Sequence, residues 1–410
     1  MPPQPEAPGA IPLVLHAQLT GLIERHRVTL VTVASTDCAE WEALDRIRDS
    51  GVDVYAIRRT ELHGRARWER RWRFASTWLR GLYPWRTIWY WEPGLQQILD
   101  RLLVERAFDL VTVEDNAMGI YRYRTKTPTI FTEYEVRRPR PVNWHGWSRG
   151  GHISWALGEA DWQRWRRYQR AVWRRFDRLQ VFSERDAHRL SAIAPELADR
   201  VRINPFSIVT PTMLEPNRQQ ERSLLFVGNF THPPNVDAVL WLGNEIMPHL
   251  RYLCPGVQLT IVGALAPAPV QALACDDICV AGQVPQIEPY MERAAVVLAP
   301  IRTGGGQRMK VLQSMALGKA VVTTPRGAEG LTQMGSSPPL VIAEDAAALA
   351  QAAAGLLTSA EDRRSLGQRA HAFVATHYSP QAYVRRLEAS YAELGRVVAK
   401  GEVSNAADYI

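Results

Sequence analysis

The chain has 410 residues, 46% of them hydrophobic and 22% charged, enough for two domains or three small ones and of ordinary globular composition rather than disordered. The formal net charge of +7 lies wholly before residue 216, where 33 Lys and Arg face 26 Asp and Glu; the remainder carries 16 of each, and thirteen of the fourteen Trp also fall in the first part. No run approaches the ~20 apolar residues of a membrane-spanning helix, and the four cysteines are too few and scattered for a disulfide framework or a zinc-spaced cluster.

A reducing compartment is therefore expected. The opening MPPQPEAPGA has no basic segment followed by an apolar one, so no secretory leader is expected and the expected address is the cytoplasm. Along the chain, apolar β-rich runs at 28–33, 52–57, 109–114, 129–131 and 179–182 predict strands in the first half. Between 58 and 92 lies an Arg/Trp-rich stretch, HGRARWERRWRFASTWLRGLYPWRTIWYWE, expected to be a helical insertion and loop. Residues 204–222, rich in Pro and polar groups, read as the linker.

After the linker the pattern sharpens. Runs at 224–227, 257–262, 278–281, 295–299 and 320–324 are apolar throughout and mostly separated by segments of helical period, the signature of a parallel sheet covered on both faces. From 361 to 398 two amphipathic helices are expected, broken at Tyr378-Ser379-Pro380. The predicted class is α/β with two Rossmann-like doubly wound domains: 1–205, a linker over 206–221, 222–380, then a closing helix and tail over 381–410 that returns to the first domain. Ligands of such sheets bind outside the carboxyl ends of the strands, which predicts a site in the cleft between the domains.

Two segments carry candidate chemistry. In VGNFTHPPN, Gly228 ends a strand and a helix starts near Asn235, an arrangement able to present free N–H groups to an anion. In APIRTGGGQRMKVLQSMALGKAVVTT, Gly304, Gly305 and Gly306 follow a strand, and Arg308 and Lys310 open the next helix. Cations at a helix N-terminus are unfavourable against its dipole unless an anion lies between, so this block predicts a phosphate site. It fits neither the Walker loop nor the GxGxxG fingerprint, and neither ATP hydrolysis nor hydride transfer is indicated.

The strings LLFVGNFTHPPNVDAVLWL, LTIVG, ICVAGQV and APIRTGGGQRMKVLQSMALGKAVVTTPRGAEGL resemble the retaining glycosyltransferases of family 4, also called group 1, whose fold is GT-B. The resemblance is dense over 222–395 and looser in FTEYEVRRPR, RYQRAVWRRFDRLQVFSERDAHRL and VRINPFS. It implies transfer of a sugar, as by a hexosyltransferase, from a nucleotide-diphosphate donor with retention and without a bound metal or other cofactor. The acceptor implied belongs to envelope or extracellular polysaccharide, or is lipid-linked. The donor would sit on the second domain and the acceptor mainly on the first, in agreement with the charge split.

On this resemblance Gly228 and Asn229 would approach the donor phosphates, and Gly282, Gln283 and Val284 would hold the base by backbone contacts. The loop of Gly304, Gly305 and Gly306 with Arg308 and Lys310 would neutralise the diphosphate, and Gln313 and Glu329 complete the donor set. Gln313 stands where the family usually has a Glu for the ribose, Gly305 replaces the first Glu of that pair, and Asn229 replaces a common Arg. On the acceptor side Gly9, Glu133, Tyr134 and Glu135 are implied, Tyr134 replacing a frequent His and Glu133 or Tyr134 orienting the acceptor hydroxyl. The same replacements suit an alternative, a non-catalytic scaffold that binds a nucleotide sugar or a partner protein.

Family members begin with a full strand, whereas this sequence enters almost at the glycine loop near Gly9. The expectation is a start upstream of Met1 or a first sheet lacking one strand. Finally, arginines at 65–86 and 137–175 are interleaved with Trp68, Trp72, Trp78, Trp85, Trp144, Trp147, Trp162, Trp165 and Trp173. This suits the inner face of an anionic membrane, or else tryptophans in the core with solvated arginines beside them. No nucleic-acid module is recognisable, and no nucleic-acid partner is expected.

Overall fold

The computed structural model describes residues 2–3, 10–59, 72, 74–81, 83–84, 87–88, 90–134, 136, 151–214, 218–304, 308–331 and 337–399. The chain divides into two compact units, one made of residues up to Asn204 together with those from Tyr383 onward, the other of Pro205–Ala382.

In the first unit α1 (Ala10–Ile23), β1 (Thr29–Ala34), α2 (Cys38–Asp49), β2 (Asp53–Arg58), α3 (Pro93–Glu105), β3 (Val111–Glu114), β4 (Thr129–Thr132), α4 (Gly151–Trp173), β5 (Arg178–Val181), α5 (Glu184–Ile193) and β6 (Val201–Ile203) follow in order. Asp37 and Ser183 cap α2 and α5, each side chain accepting from a backbone N–H of the first turn. β1 pairs with β2, and β3-β4-β5-β6 form a second sheet, every pairing parallel. Among the described residues no ladder joins the two, so this unit's sheet is in two pieces. Every residue of β4 and β5 is buried, whereas β1 and β3 retain partly exposed positions.

The second unit is a six-stranded sheet in the order β12-β11-β10-β7-β8-β9, all parallel. Its elements are β7 (Ser223–Val227), α6 (Pro233–Trp241), α7 (Met247–Leu253), β8 (Gln258–Val262), α8 (Ala268–Gln271), β9 (Ile278–Gly282), α9 (Glu288–Arg293), β10 (Val296–Ala299), α10 (Met309–Ala316), β11 (Ala320–Thr323), β12 (Val341–Ile342), α11 (Ala346–Thr358) and α12 (Ala360–His377). Leu224, Phe226, Leu259, Ile261, Val296, Leu298 and Val322 enter one apolar cluster. Leu225, Val262, Val297, Ala299 and Val321 enter the other. Successive side chains of a strand point to opposite faces, so a run apolar at every position is what a sheet buried on both sides requires. The doubly wound reading holds, with β6 and β12 as short additions that no apolar run announced.

The closing helices break at Tyr378 and Ser379, and α13 (Pro380–Ala399) starts with Pro in its first turn, where the missing N–H costs nothing. From Tyr383 this helix belongs to the first unit, where Tyr383, Val384, Leu387 and Leu394 pack with Ile130 of β4. Among the described residues no helix is long and apolar enough to cross a membrane.

Candidate functional site

The carboxyl ends of β7, β8 and β9 meet through glycines. The Gly228 N–H donates to Val262 at 3.0 Å and the Gly263 N–H to Gly282 at 2.8 Å. A Cβ on Gly263 would lie 1.8 Å from the Gly228 carbonyl oxygen, so these turns touch backbone to backbone and admit only glycine. Past Gly228, the exposed Asn229 accepts from the Thr231 N–H at 2.9 Å and hydroxyl at 2.8 Å, while Asn235 donates back to the Asn229 carbonyl at 2.7 Å. The segment entering α6 is thereby fixed by its own polar side chains.

The second loop comes to the same place. Gly304 has φ +91°, and a Cβ there would meet Pro234 at 3.0 Å and the Arg308 guanidinium at 3.3 Å. Arg308, 8% exposed, stands at the N-cap of α10 and donates to the Thr303 carbonyl at 3.3 Å. Lys310 donates to Asn235 Oδ1 at 2.5 Å and lies 4.6 Å from the Phe226 ring centroid. Burial, and beyond it the nearby Arg308 charge, pushes the Lys310 ammonium down to about 7. Two cations are therefore held beside a glycine turn at the sheet's carboxyl edge, one of them poorly stabilised as a cation until an anion arrives.

Flanking contacts fix this edge. Arg302 binds Asp237 at 2.7 Å and stacks 4.6 Å over Trp241; Thr323 donates to the Ala299 carbonyl at 2.6 Å, and Thr324 to that of Ile301. Gln283 and Gln313 are exposed, Val284 packs partly on the apolar core, and Glu329 pairs with Arg326 at 3.2 Å. The structure thus gathers Gly228, Asn229, Gly304, Arg308 and Lys310. Gly263, Pro234 and Asn235 complete the group; the G after LTIV and the PPN of the first loop are the traces they leave in the sequence. Gly305 and Gly306 lie outside the described residues. Among the described residues no three His, Cys, Asp or Glu side chains gather as a metal would need.

The acceptor-side expectations fare differently, and Gly9 and Glu135 lie outside the described residues. Glu133 is a correction to the role of orienting an acceptor. Its carboxylate is 1% exposed and accepts from Trp173 at 2.8 Å, from Gln169 at 3.3 Å and from Asn116, so it satisfies core donors. Tyr134 is half-buried, edge-on to Phe182, and donates to Glu114 at 3.2 Å.

The described tryptophans of these stretches are placed differently from one another. Trp165 and Trp173 are buried, and Trp78 donates to Asp161 at 2.7 Å under the Arg164 guanidinium, 3.9 Å from the ring. Arg170 and Arg174 share Glu196. Trp72 is 69% exposed and Trp162 half-buried, while Trp68, Trp85, Trp144 and Trp147 lie outside the described residues.

Comparison with known proteins agrees with the second unit's geometry. Residues 221–359 match the model of the glycosyl transferases group 1. An uncharacterised protein of the cps region of Klebsiella pneumoniae is 24% identical over 165 residues, a match spanning 38% of this chain and 42% of that protein's length. Among solved structures, a glycosyltransferase from Rickettsia africae aligns over 95% of this chain and 97% of its own with TM-score 0.61 at 12% identity. HepE from Anabaena, in complex with UDP, aligns over 96% and 97% with TM-score 0.56 at 10% identity. Sucrose-phosphate synthase from Thermosynechococcus elongatus aligns over 91% and 99% with TM-score 0.54 at 15% identity. Residues 221–359 are thus similar to the group 1 glycosyltransferases, and the chain's two parallel-sheet units have the GT-B fold of these solved structures.

Proposed function

We propose that the protein moves a hexose, with retention and without a metal, from a nucleotide-diphosphate donor on the second unit to an acceptor of envelope or extracellular polysaccharide. The observation that carries this reading is the Lys310 ammonium joined to Asn235 beside Arg308 and Gly304. When the sugar leaves, negative charge grows on the diphosphate. Fixed cations in a partly dry site stabilise that charge more than water does, because they need no reorganisation. The complex of HepE with UDP and the cps location of the Klebsiella relative support a nucleotide-sugar donor and a polysaccharide context. The reading places the work in the cytoplasm, at the inner face of the membrane if the acceptor is lipid-linked; Arg166 and Arg167, exposed on α4, would then face lipid phosphates.

A thermal-shift series against UDP, GDP, ADP, TDP and their common sugars tests it, since a ligand of the folded state raises the melting temperature by mass action. The expected result is a base-selective rise that Lys310→Ala removes. Well-folded protein that responds to no nucleotide would refute the reading.

A further inference from the structure

Trp241 is the one tryptophan beyond residue 216, and the fold sets it under the stem of the glycine loop. It closes α6, is 6% exposed and belongs to the apolar core, and its indole N–H donates to Glu245 at 3.0 Å. Arg302, in the chain between β10 and Gly304, stacks 4.6 Å over this ring. Its Nη2 donates to Asp237 Oδ1 at 2.7 Å and its Nε to Oδ2 at 3.2 Å. Two in-plane bonds and a stacked face fix a planar guanidinium in both place and orientation.

The same helix meets the loop at two further points. A Cβ on Gly304 would touch Pro234 at 3.0 Å, and Asn235 accepts from the Lys310 ammonium at 2.5 Å. Residues 302, 304 and 310 are thus matched to residues 237, 234 and 235, so the loop is held to the start of α6 both where it leaves β10 and where it enters α10. What Arg302 supplies is place rather than charge, because the carboxylates of Asp237 and Glu245 already offset its positive charge. The side chains of the pair are 43% and 33% exposed, and an ion pair so open to water adds little to folding stability. Its physical effect is to fix the direction in which the chain leaves the sheet.

We propose that Arg302, held by Asp237 on the Trp241 ring, is a positioning residue for diphosphate recognition, fixing the stem of the glycine loop so that Gly304, Arg308 and Lys310 meet the distal phosphate of the donor in one arrangement. The proposal rests on the transferase reading above. A loop fixed before its ligand arrives has less conformational freedom to lose on binding. The pair therefore acts on the distal phosphate and not on the base, which that reading assigns to Gly282, Gln283 and Val284.

The test is calorimetry on the full chain with the pairs UDP and UMP, GDP and GMP, ADP and AMP, and TDP and TMP. For at least one base the wild type should bind the diphosphate more tightly than the monophosphate. Asp237→Ala and Arg302→Ala should each weaken the diphosphate roughly tenfold and leave the monophosphate unchanged, and the double variant should lose no more than either alone. Asp237→Asn, closer in shape, replaces Asp237→Ala if the latter does not fold. Loss in Arg302→Ala alone would make Arg302 a direct ligand and overturn the proposal; loss in Asp237→Ala alone would overturn it as well. So would equal losses for diphosphate and monophosphate, additive losses in the double variant, full diphosphate affinity in both single variants, or a wild type that does not distinguish the two nucleotides. A wild type that binds no nucleotide would remove the transferase reading, and this proposal with it.

Discussion

Lys310 of α10 donates to Asn235 of α6, and this bond joins the helix after the glycine loop to the helix after the unit's first strand. The carboxamide directs the ammonium over Phe226 and leaves it beside Arg308. Lys310→Ala removes a fixed cation and should lower the single-turnover rate of sugar transfer by roughly 100-fold, about 3 kcal/mol of transition-state stabilisation. Asn235→Ala leaves the charge but frees its direction, and should lower the rate about tenfold with a smaller change in UDP affinity. Equal losses in the two variants would show that direction matters as much as charge.

The depressed Lys310 ammonium gives a pH dependence whose sign follows directly. Burial pushes it down to about 7 from its ordinary 10.5, so between these values the folded state holds fewer protons than the unfolded. That share of stability is absent below about 7 and grows as pH rises toward 10.5. A bound diphosphate restores the cation, so donor binding above about 7 takes up a proton and weakens with rising pH. Calorimetry of UDP binding at pH 8 in buffers of different ionisation enthalpy should show uptake in the wild type and less in Lys310→Met.

How much of this was legible depends on what each residue does. The strands of the second unit were readable because burial on both faces forces every position to be apolar, as in Leu224–Phe226 and Val296–Ala299. β6 was not, because Val201, Arg202 and Ile203 pair with β5 but stay half-buried. Arg308 and Lys310 stood out because cations at a helix start conflict with its dipole. Their partner Asn235 did not, since a single amide becomes meaningful only when the fold brings residue 310 to it. Glu133 misled for the same reason: the sequence places it at a strand end, but the indole of Trp173, 40 positions later, decides that it is core.

The two first-unit carboxyls should separate in stability measurements. Glu133→Ala strands the buried Trp173, Gln169 and Asn116 donors and should cost roughly 3–5 kcal/mol, read from urea unfolding of the full chain. Glu114 behaves oppositely. Its carboxyl is raised above the ordinary value, so between 4.5 and about 7 the folded state holds more protons than the unfolded, and stability falls as pH rises through that window. Glu114→Gln should therefore raise the melting temperature at pH 8 and change it little at pH 4. A fall at both pH values would mark Glu114 as a structural acceptor like Glu133.

Gly263 provides the strictest test of the donor edge, because nothing about it involves charge. A methyl group there would collide with the Gly228 carbonyl at 1.8 Å and with the Phe230 ring at 2.8 Å. The two turns must then move apart, and Gly228 carries with it the start of α6 and the Asn235 that directs Lys310. Gly263→Ala should cost ~1–3 kcal/mol of stability, the usual penalty of overpacking a close contact, and should weaken UDP binding beyond what unfolding explains. Measured well below the melting temperature, where both proteins are fully folded, a UDP affinity equal to the wild type would mean that the donor site tolerates separation of the two turns.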